Sequence, residues 1–224
     1  MPQGCLPLAL FFILLILVPL FLAEVMLIAL TRLGLSPELS IMAAIGIFMG
    51  GLINIPVQKI PKGRPMEDSP NAFFGMNRLL GKKPVQQDFT IIAVNFGGCV
   101  VPCILAAYQV LRILSHSPYA ALVVTGAAAV NIYVCYRLAQ PVPKVGITLP
   151  AFIPPLIAAL AAIVFIPEFA PPVAFTAGVL GPLIGADLLH MRDIKQLDTG
   201  MASIGGAGTF DGIVISGLLA TLLA

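Results

Sequence analysis

Residues 6–30 read LPLALFFILLILVPLFLAEVMLIAL, an apolar run carrying a single charge, Glu24. A helix needs about 20 apolar residues to cross the hydrocarbon core of a bilayer. The run is longer than the apolar core of a secretory signal and has no positive residues ahead of it, so it is expected to remain in place as a first span. The rest of the chain keeps the same character: 59% of the 224 residues are hydrophobic and 10% are charged, against roughly 25% charged in soluble domains. No water-soluble core hides so much apolar surface. The composition predicts an all-α, polytopic membrane helix bundle, with residues 1–224 forming one integral membrane domain.

Apolar runs between charged or Pro/Gly-marked breaks fall at 6–30, 37–55, 89–114, 118–136, 147–166, 171–190 and 204–224, which gives about seven spans. Basic residues test that number, because cytoplasmic loops collect positive charge. With seven spans and the amino terminus inside, Lys59, Lys62, Arg64, Arg78, Lys82, Lys83, Arg137, Lys144, Arg192 and Lys195 fall on the cytoplasmic side, and only Arg32 and Arg112 fall outside. Deleting any one span scrambles the bias, so a cytoplasmic amino terminus is predicted. The long connection 56–87 is expected to be a cytoplasmic loop. Its apolar patch, Ala72 to Leu80, reads either as an interfacial helix or as a flexible stretch.

An ionisable side chain at depth costs roughly 2.5–3.5 kcal/mol on insertion scales, which makes each one a functional candidate. Three qualify: Glu24, Asp187 and Asp211. Asp187 is expected about three residues, roughly 5 Å, from the cytoplasmic end of the sixth span, and Asp211 about seven residues, roughly 10 Å, into the seventh. A short connection makes these two spans antiparallel neighbours. Two close carboxyls in a low dielectric cannot both ionise easily, so such a pair tends to share one proton, the state in which one carboxylate activates water and its neutral partner donates to a scissile carbonyl. Gly206 and Gly208, just before Asp211, would let a substrate backbone come close. In the competing account Asp211 caps a broken helix and Asp187 pairs with a base.

His190 follows Asp187 by three residues, on the same helical face. With Asp211 it could complete an Asp/His/Asp metal set, or it could simply mark the membrane interface. Glu24, alone in its helix, is expected to hydrogen-bond Asn54, Asn95 or Asn131, or to relay protons. The segments Asn54-Ile-Pro56, Asn95 to Pro102 and Gly146 to Pro155 break their spans. Broken backbone in a bilayer is tolerated where protein or a wet cavity satisfies it, so these breaks point either to a hydrated interior or to local kinks. The four cysteines, Cys5, Cys99, Cys103 and Cys135, have no CxxC spacing and read as reduced packing residues. The net charge of +2, without an aromatic-studded basic stripe, excludes nucleic acid as a partner. No cofactor or metal is expected; the expected partners are the lipid bilayer and a transmembrane or membrane-proximal peptide substrate.

Asn54-Ile-Pro56, Val94-Asn-Phe-Gly-Gly98, Gly185-Ala-Asp-Leu-Leu189 and the run Ser203 to Ile213 together resemble the prokaryotic membrane family catalogued as domain of unknown function 1614. The resemblance implies a prokaryotic cytoplasmic membrane and brings no established activity. A looser similarity is to intramembrane aspartyl proteases of the presenilin-like, signal-peptide-peptidase-like and prepilin-peptidase types, which carry one aspartate on each of two adjacent helices, the second in Gly-x-Gly-Asp. Here Thr209 and Phe210 separate Gly208 from Asp211, Ala186 precedes the first aspartate where presenilin-like enzymes have tyrosine, and the later Pro-Ala-Leu motif is missing.

The sequence thus favours a di-aspartate intramembrane hydrolase, a protease with Asp187 and Asp211 as the catalytic pair and His190 nearby. A small ion- or proton-coupled transporter, with a polar path through Glu24, Asn95, Asp187 and Asp211, is the alternative. A membrane assembly partner, in which neither acid matters, is the third.

Overall fold

A computed structural model describes residues 5–61, 89–142, 146–193 and 200–224. The patch 72–80 lies outside them. Among the described residues are seven α-helices: α1 (Cys5–Arg32), α2 (Pro37–Gly50), α3 (Val101–His116), α4 (Pro118–Leu138), α5 (Ile153–Phe165), α6 (Ala170–Leu180) and α7 (Gly212–Leu223). Ser36 and Ser117 start α2 and α4 by accepting the amides of Leu39 and Ala120, and proline follows each of them in the first turn, where its missing N–H costs nothing. A π-helical turn, Phe96–Val100, leads into α3, and a second, Gly181–Leu188, extends α6.

Among the described residues, four helical stretches are long and apolar enough to cross a membrane: Phe11–Arg32, Phe96–His116, Pro118–Leu138 and Pro167–Leu188. The seven runs of the sequence do not become seven full-length helices. Helices α2, α5 and α7 have 14, 13 and 12 residues, about 20 Å at 1.5 Å per residue, against a hydrocarbon core of about 30 Å.

The missing length is strand, and this corrects the all-α expectation. β1 (Asn54–Pro61), β2 (Phe89–Asn95) and β5 (Met201–Ile204) form one sheet in the order β1-β2-β5, with β1 antiparallel and β5 parallel to β2. β3 (Gln140–Val142) and β4 (Gly146–Thr148) form a separate hairpin. The runs 37–55, 89–114, 147–166 and 204–224 therefore each fuse a helix with neighbouring strand or turn. In 89–95, Phe-Thr-Ile-Ile-Ala-Val-Asn, the β-branched residues favour extended backbone, but a short apolar stretch joined to an apolar helix has no periodicity of its own to reveal the boundary.

The core is organised around the α6–α7 hairpin. Phe175, Val179, Ile213 and Val214 pack with Met26, Leu30, Leu33 and Ile47 on one side, while Val173, Ala174, Ala177 and Ala220 pack with helices α3, α4 and α5 on the other. Small residues set the α6–α7 distance: a Cβ on Gly178 would fall against the Ser216 carbonyl, and one on Gly217 against Val179, the close packing by which helices associate in lipid. α1 joins the bundle only near its end, where Met26, Ala29, Leu30 and Leu33 are buried, while Phe11 to Leu15 and Leu20 to Phe21 are exposed.

Helix direction alternates, so the molecule has two distinct ends. At one, Arg32 Nη1 donates to the Leu222 carbonyl (2.8 Å), Arg112 Nη1 donates to the Leu33 carbonyl, and Tyr119 donates to the Phe165 carbonyl (2.9 Å). At the other lie both sheets and the two π turns.

Candidate functional site

Three stretches of backbone meet at the sheet end, and each is kept bare of side chains by glycine. Gly97 packs on Gly50 and Gly51, where a Cβ would collide with the Ile47 carbonyl and the Gly51 amide. Gly98 packs on Gly205, and Gly208 packs on Gly51. Gly205 and Gly208 have φ of +71° and +61°, the left-handed region that side chains disfavour. No single glycine run announces this junction, because each member's partner lies far along the chain.

Asn95 stitches the junction together. Fully buried at the end of β2, it accepts the Gly98 amide on Oδ1 (2.7 Å) and donates from Nδ2 to the Gly51 carbonyl (2.8 Å) and to Asn54 Oδ1 (3.1 Å). Ser203 Oγ donates to the same Asn54 oxygen (2.6 Å). All three strands are thereby tied at their inner ends. Both N–H groups of the Asn95 amide are engaged in this clamp, where the sequence predicts a partner for Glu24 or a point on a polar path.

The two aspartates reach this junction from separate elements. The α6 extension is pressed onto α4 through Gly181, which lies against Asn131, and Gly185, which lies against the Ile132 carbonyl. Pro182 lacks the N–H an α-helical turn would need there, and the backbone widens into the π turn that carries Asp187. Such turns recur at functional sites. Asp211 does not sit inside the last helix, as its distance along the apolar run suggested. It is the N-cap of α7, with Oδ1 accepting the Ile213 amide (3.0 Å) and Oδ2 the Ala207 amide (3.3 Å). Here the capping account describes the hydrogen bonding.

Asp187 and Asp211 are half-buried and close enough for the Asp211 charge to act on Asp187, and the Gly205 amide faces the Asp187 carboxylate. The Cys99 thiol lies within electrostatic reach of both acids, with the Cys103 sulfur 3.9 Å from its own. The sequence predicts packing alone for Cys99; its proximity to the acids follows from the Gly98–Gly205 contact and has no signal in sequence.

Other predicted residues stand apart. The buried His190 sets Nδ1 3.1 Å from the Gly185 carbonyl and lies 4.9 Å from the Tyr136 ring, against α4. Among the described residues no three His, Cys, Asp or Glu side chains converge to hold a metal ion, so the Asp/His/Asp set is not assembled. Glu24 is exposed on α1. Its expected asparagine partners are engaged elsewhere, Asn131 donating to the Ala177 carbonyl (2.9 Å). Gly206 is exposed beside Asp211, whereas Gly208 is buried in the junction.

Apolar helices of spanning length around a buried hairpin, closed at one end by a sheet and two interacting carboxylates, define an integral membrane protein. The chain belongs to the family described as protein of unknown function, DUF1614, whose family model matches residues 48–223. That region contains the whole junction and both aspartates, and leaves out α1. No curated protein and no solved structure matches the chain.

Proposed function

We propose that the protein is a seven-span intramembrane hydrolase of a prokaryotic cytoplasmic membrane, amino terminus inside, that cleaves peptide bonds at the cytoplasmic face with Asp187 and Asp211 as its catalytic pair. The observation that carries this reading is the approach of the two carboxylates from separate helices to one glycine-lined junction. Asp211 accepts two backbone amides and Asp187 faces one. Amide donors favour a carboxylate over a carboxylic acid, so the shared proton resides on Asp187. Asp211 then takes a proton from water as its oxygen attacks the carbonyl carbon, and Asp187 gives its proton to the carbonyl oxygen. As the tetrahedral adduct collapses, Asp211 gives the proton it took to the nitrogen, the C–N bond breaks, and Asp187 takes back a proton from the adduct's hydroxyl, leaving a carboxylic acid and an amine.

The sheet supports a peptide as the substrate. The Ile91 amide donates to the Gly200 carbonyl (3.1 Å), and Ile91 is in register with Met201. Backbone groups of a strand alternate sides, so Gly200, Ala202 and Ile204 turn toward β2, while Met201, Ser203 and Gly205 turn their amides to the far edge. Among the described residues no strand pairs with that edge. Its last amide, that of Gly205, is the one facing Asp187. A peptide bond inside a helix is shielded by its own hydrogen bonds, whereas an extended segment added along this edge would arrive at the carboxylates unwound.

The test is cleavage of membrane-anchored peptides by purified protein in liposomes, with Asp187→Asn and Asp211→Asn as variants. Both should be inactive and folded. Retained cleavage in either one overturns the reading, and proton-coupled solute flux lost in the same variants would assign the pair to transport instead.

A further inference from the structure

At the end of the bundle away from the acid pair, Leu111, Arg112, Ser115, His116 and Phe169 line an open cavity of about 420 Å³. Arg112 is held there by neutral oxygens. Its Nη1 donates to the Leu33 carbonyl and to Gln109 Oε1 (3.1 Å), and the buried Gln109 donates to the same carbonyl (3.1 Å). The guanidinium carbon lies 5.9 Å from the Tyr108 ring and 5.8 Å from the Phe169 ring. Phe169 also carries the His116 ring, stacked at 4.3 Å and 4°.

This arrangement fixes a cation in place, and among the described residues no carboxylate forms an ion pair with it. Arg32, the other basic residue at this end, has a structural explanation in the carbonyls that close α7. Arg112 shares that logic only through one edge of its fork. Arg112, His116 and Ser115 line the cavity, the Ser115 hydroxyl donating to the Leu111 carbonyl (2.9 Å). Arginine's planar fork matches phosphate in two-point contacts. From the cavity toward the middle of the bundle, Leu111, Tyr108 (43% exposed) and Ile104 follow one another at helical spacing on the exposed face of α3, an apolar flank leading inward from the guanidinium.

We infer that this cavity binds the phosphate group of an anionic amphiphile, a phospholipid headgroup whose acyl chains run along Leu111 and Ile104. Basic pockets between membrane helices take lipid headgroups in this way. Phosphate is the recognised group, and free phosphate is its other source.

The protein, purified in a neutral detergent, is exposed to phosphatidylglycerol, to diacylglycerol of the same chains and to inorganic phosphate, and retained ligand is counted by native mass spectrometry. Phosphatidylglycerol should be retained at least about tenfold more than diacylglycerol, and Arg112→Gln should lose most of that preference. His116→Phe keeps the stack on Phe169 and removes the ring nitrogens; it should weaken retention about threefold with the melting temperature unchanged. Inorganic phosphate that displaces the lipid at millimolar concentration would make phosphate alone the ligand; resistance to it assigns the site to the lipid. Equal retention of the phosphate-free lipid, or retention unchanged in both variants, overturns the inference.

Discussion

The two ends of this bundle are closed by different means. At the sheet end backbone meets backbone: Gly97 on Gly51, Gly98 on Gly205 and Gly208 on Gly51, with Asn95 satisfying the Gly98 amide and the Gly51 carbonyl between them. At the opposite end long side chains reach across to carbonyls, from Arg32 to α7, from Arg112 to the α1–α2 turn and from Tyr119 to α5. A side chain that reaches can shift by rotating, but a backbone that touches another backbone cannot. The rigid closure lies where the carboxylates are, which is what preorganised chemistry needs, since reacting groups must hold their places to within a fraction of an ångström.

Substitutions can break or sharpen that contrast. The largest effect belongs to the acids. Asp211→Asn should lower turnover by about 10²–10⁴-fold, yet leave thermal stability nearly intact, because asparagine caps a helix about as well as aspartate. Asp211→Ala should show the same kinetic loss plus about 1 kcal/mol of stability, the usual worth of a cap. Comparing the two melting curves with the two cleavage rates separates chemistry from capping. If asparagine and alanine destabilise equally, the amide bonds from Ala207 and Ile213 are not holding the turn.

Gly205→Ala comes next. The new methyl would sit on the Gly98 carbonyl carbon and the Cys99 amide, at a φ of +71°. Left-handed backbone and overpacking together imply a loss of about 2–4 kcal/mol, read as a lower melting temperature in detergent. A wild-type melt for this variant would mean that the junction is loose and that the acids are not rigidly placed.

Much of this contrast was hidden in the chain. Membrane insertion was legible because apolar runs such as 6–30 leave no other reading, and α4 and the extended α6 follow the runs 118–136 and 171–190 closely. The sheet was not legible: in 89–95 and 201–204 the strands join helices through residues as apolar as the helices themselves, and hydropathy does not register a change of backbone. Asp187 and Asp211 stood out because charge at depth is costly. Their surroundings did not, because Gly51, Gly98 and Gly205 matter only through each other. Asp211 was placed too deep for the same reason: counting from the start of an apolar run assumes a helix where the chain makes a strand, a turn and only then α7.

The smaller effects test the two closures directly. Asn95→Ala removes an acceptor from the Gly98 amide and donors from the Gly51 carbonyl, leaving buried groups unpaired at a loss of about 1–3 kcal/mol. Arg32→Ala at the far end removes a side chain that can be replaced by water or lipid headgroups, and should lose about 0.3–1 kcal/mol. Gly126 supplies the limit of the series, because a Cβ there meets nothing within 4 Å and the position is exposed in the middle of α4. Alanine at 126 should therefore stabilise by about 0.5–1 kcal/mol, through the backbone freedom that glycine loses on entering a helix. Gly205→Ala and Gly126→Ala add the same methyl group to the same protein, so opposite shifts in melting temperature would locate the difference in what the methyl meets. A loss at both positions would instead mean that α4 is gripped along its exposed face by another helix, and that the bundle is part of a larger assembly.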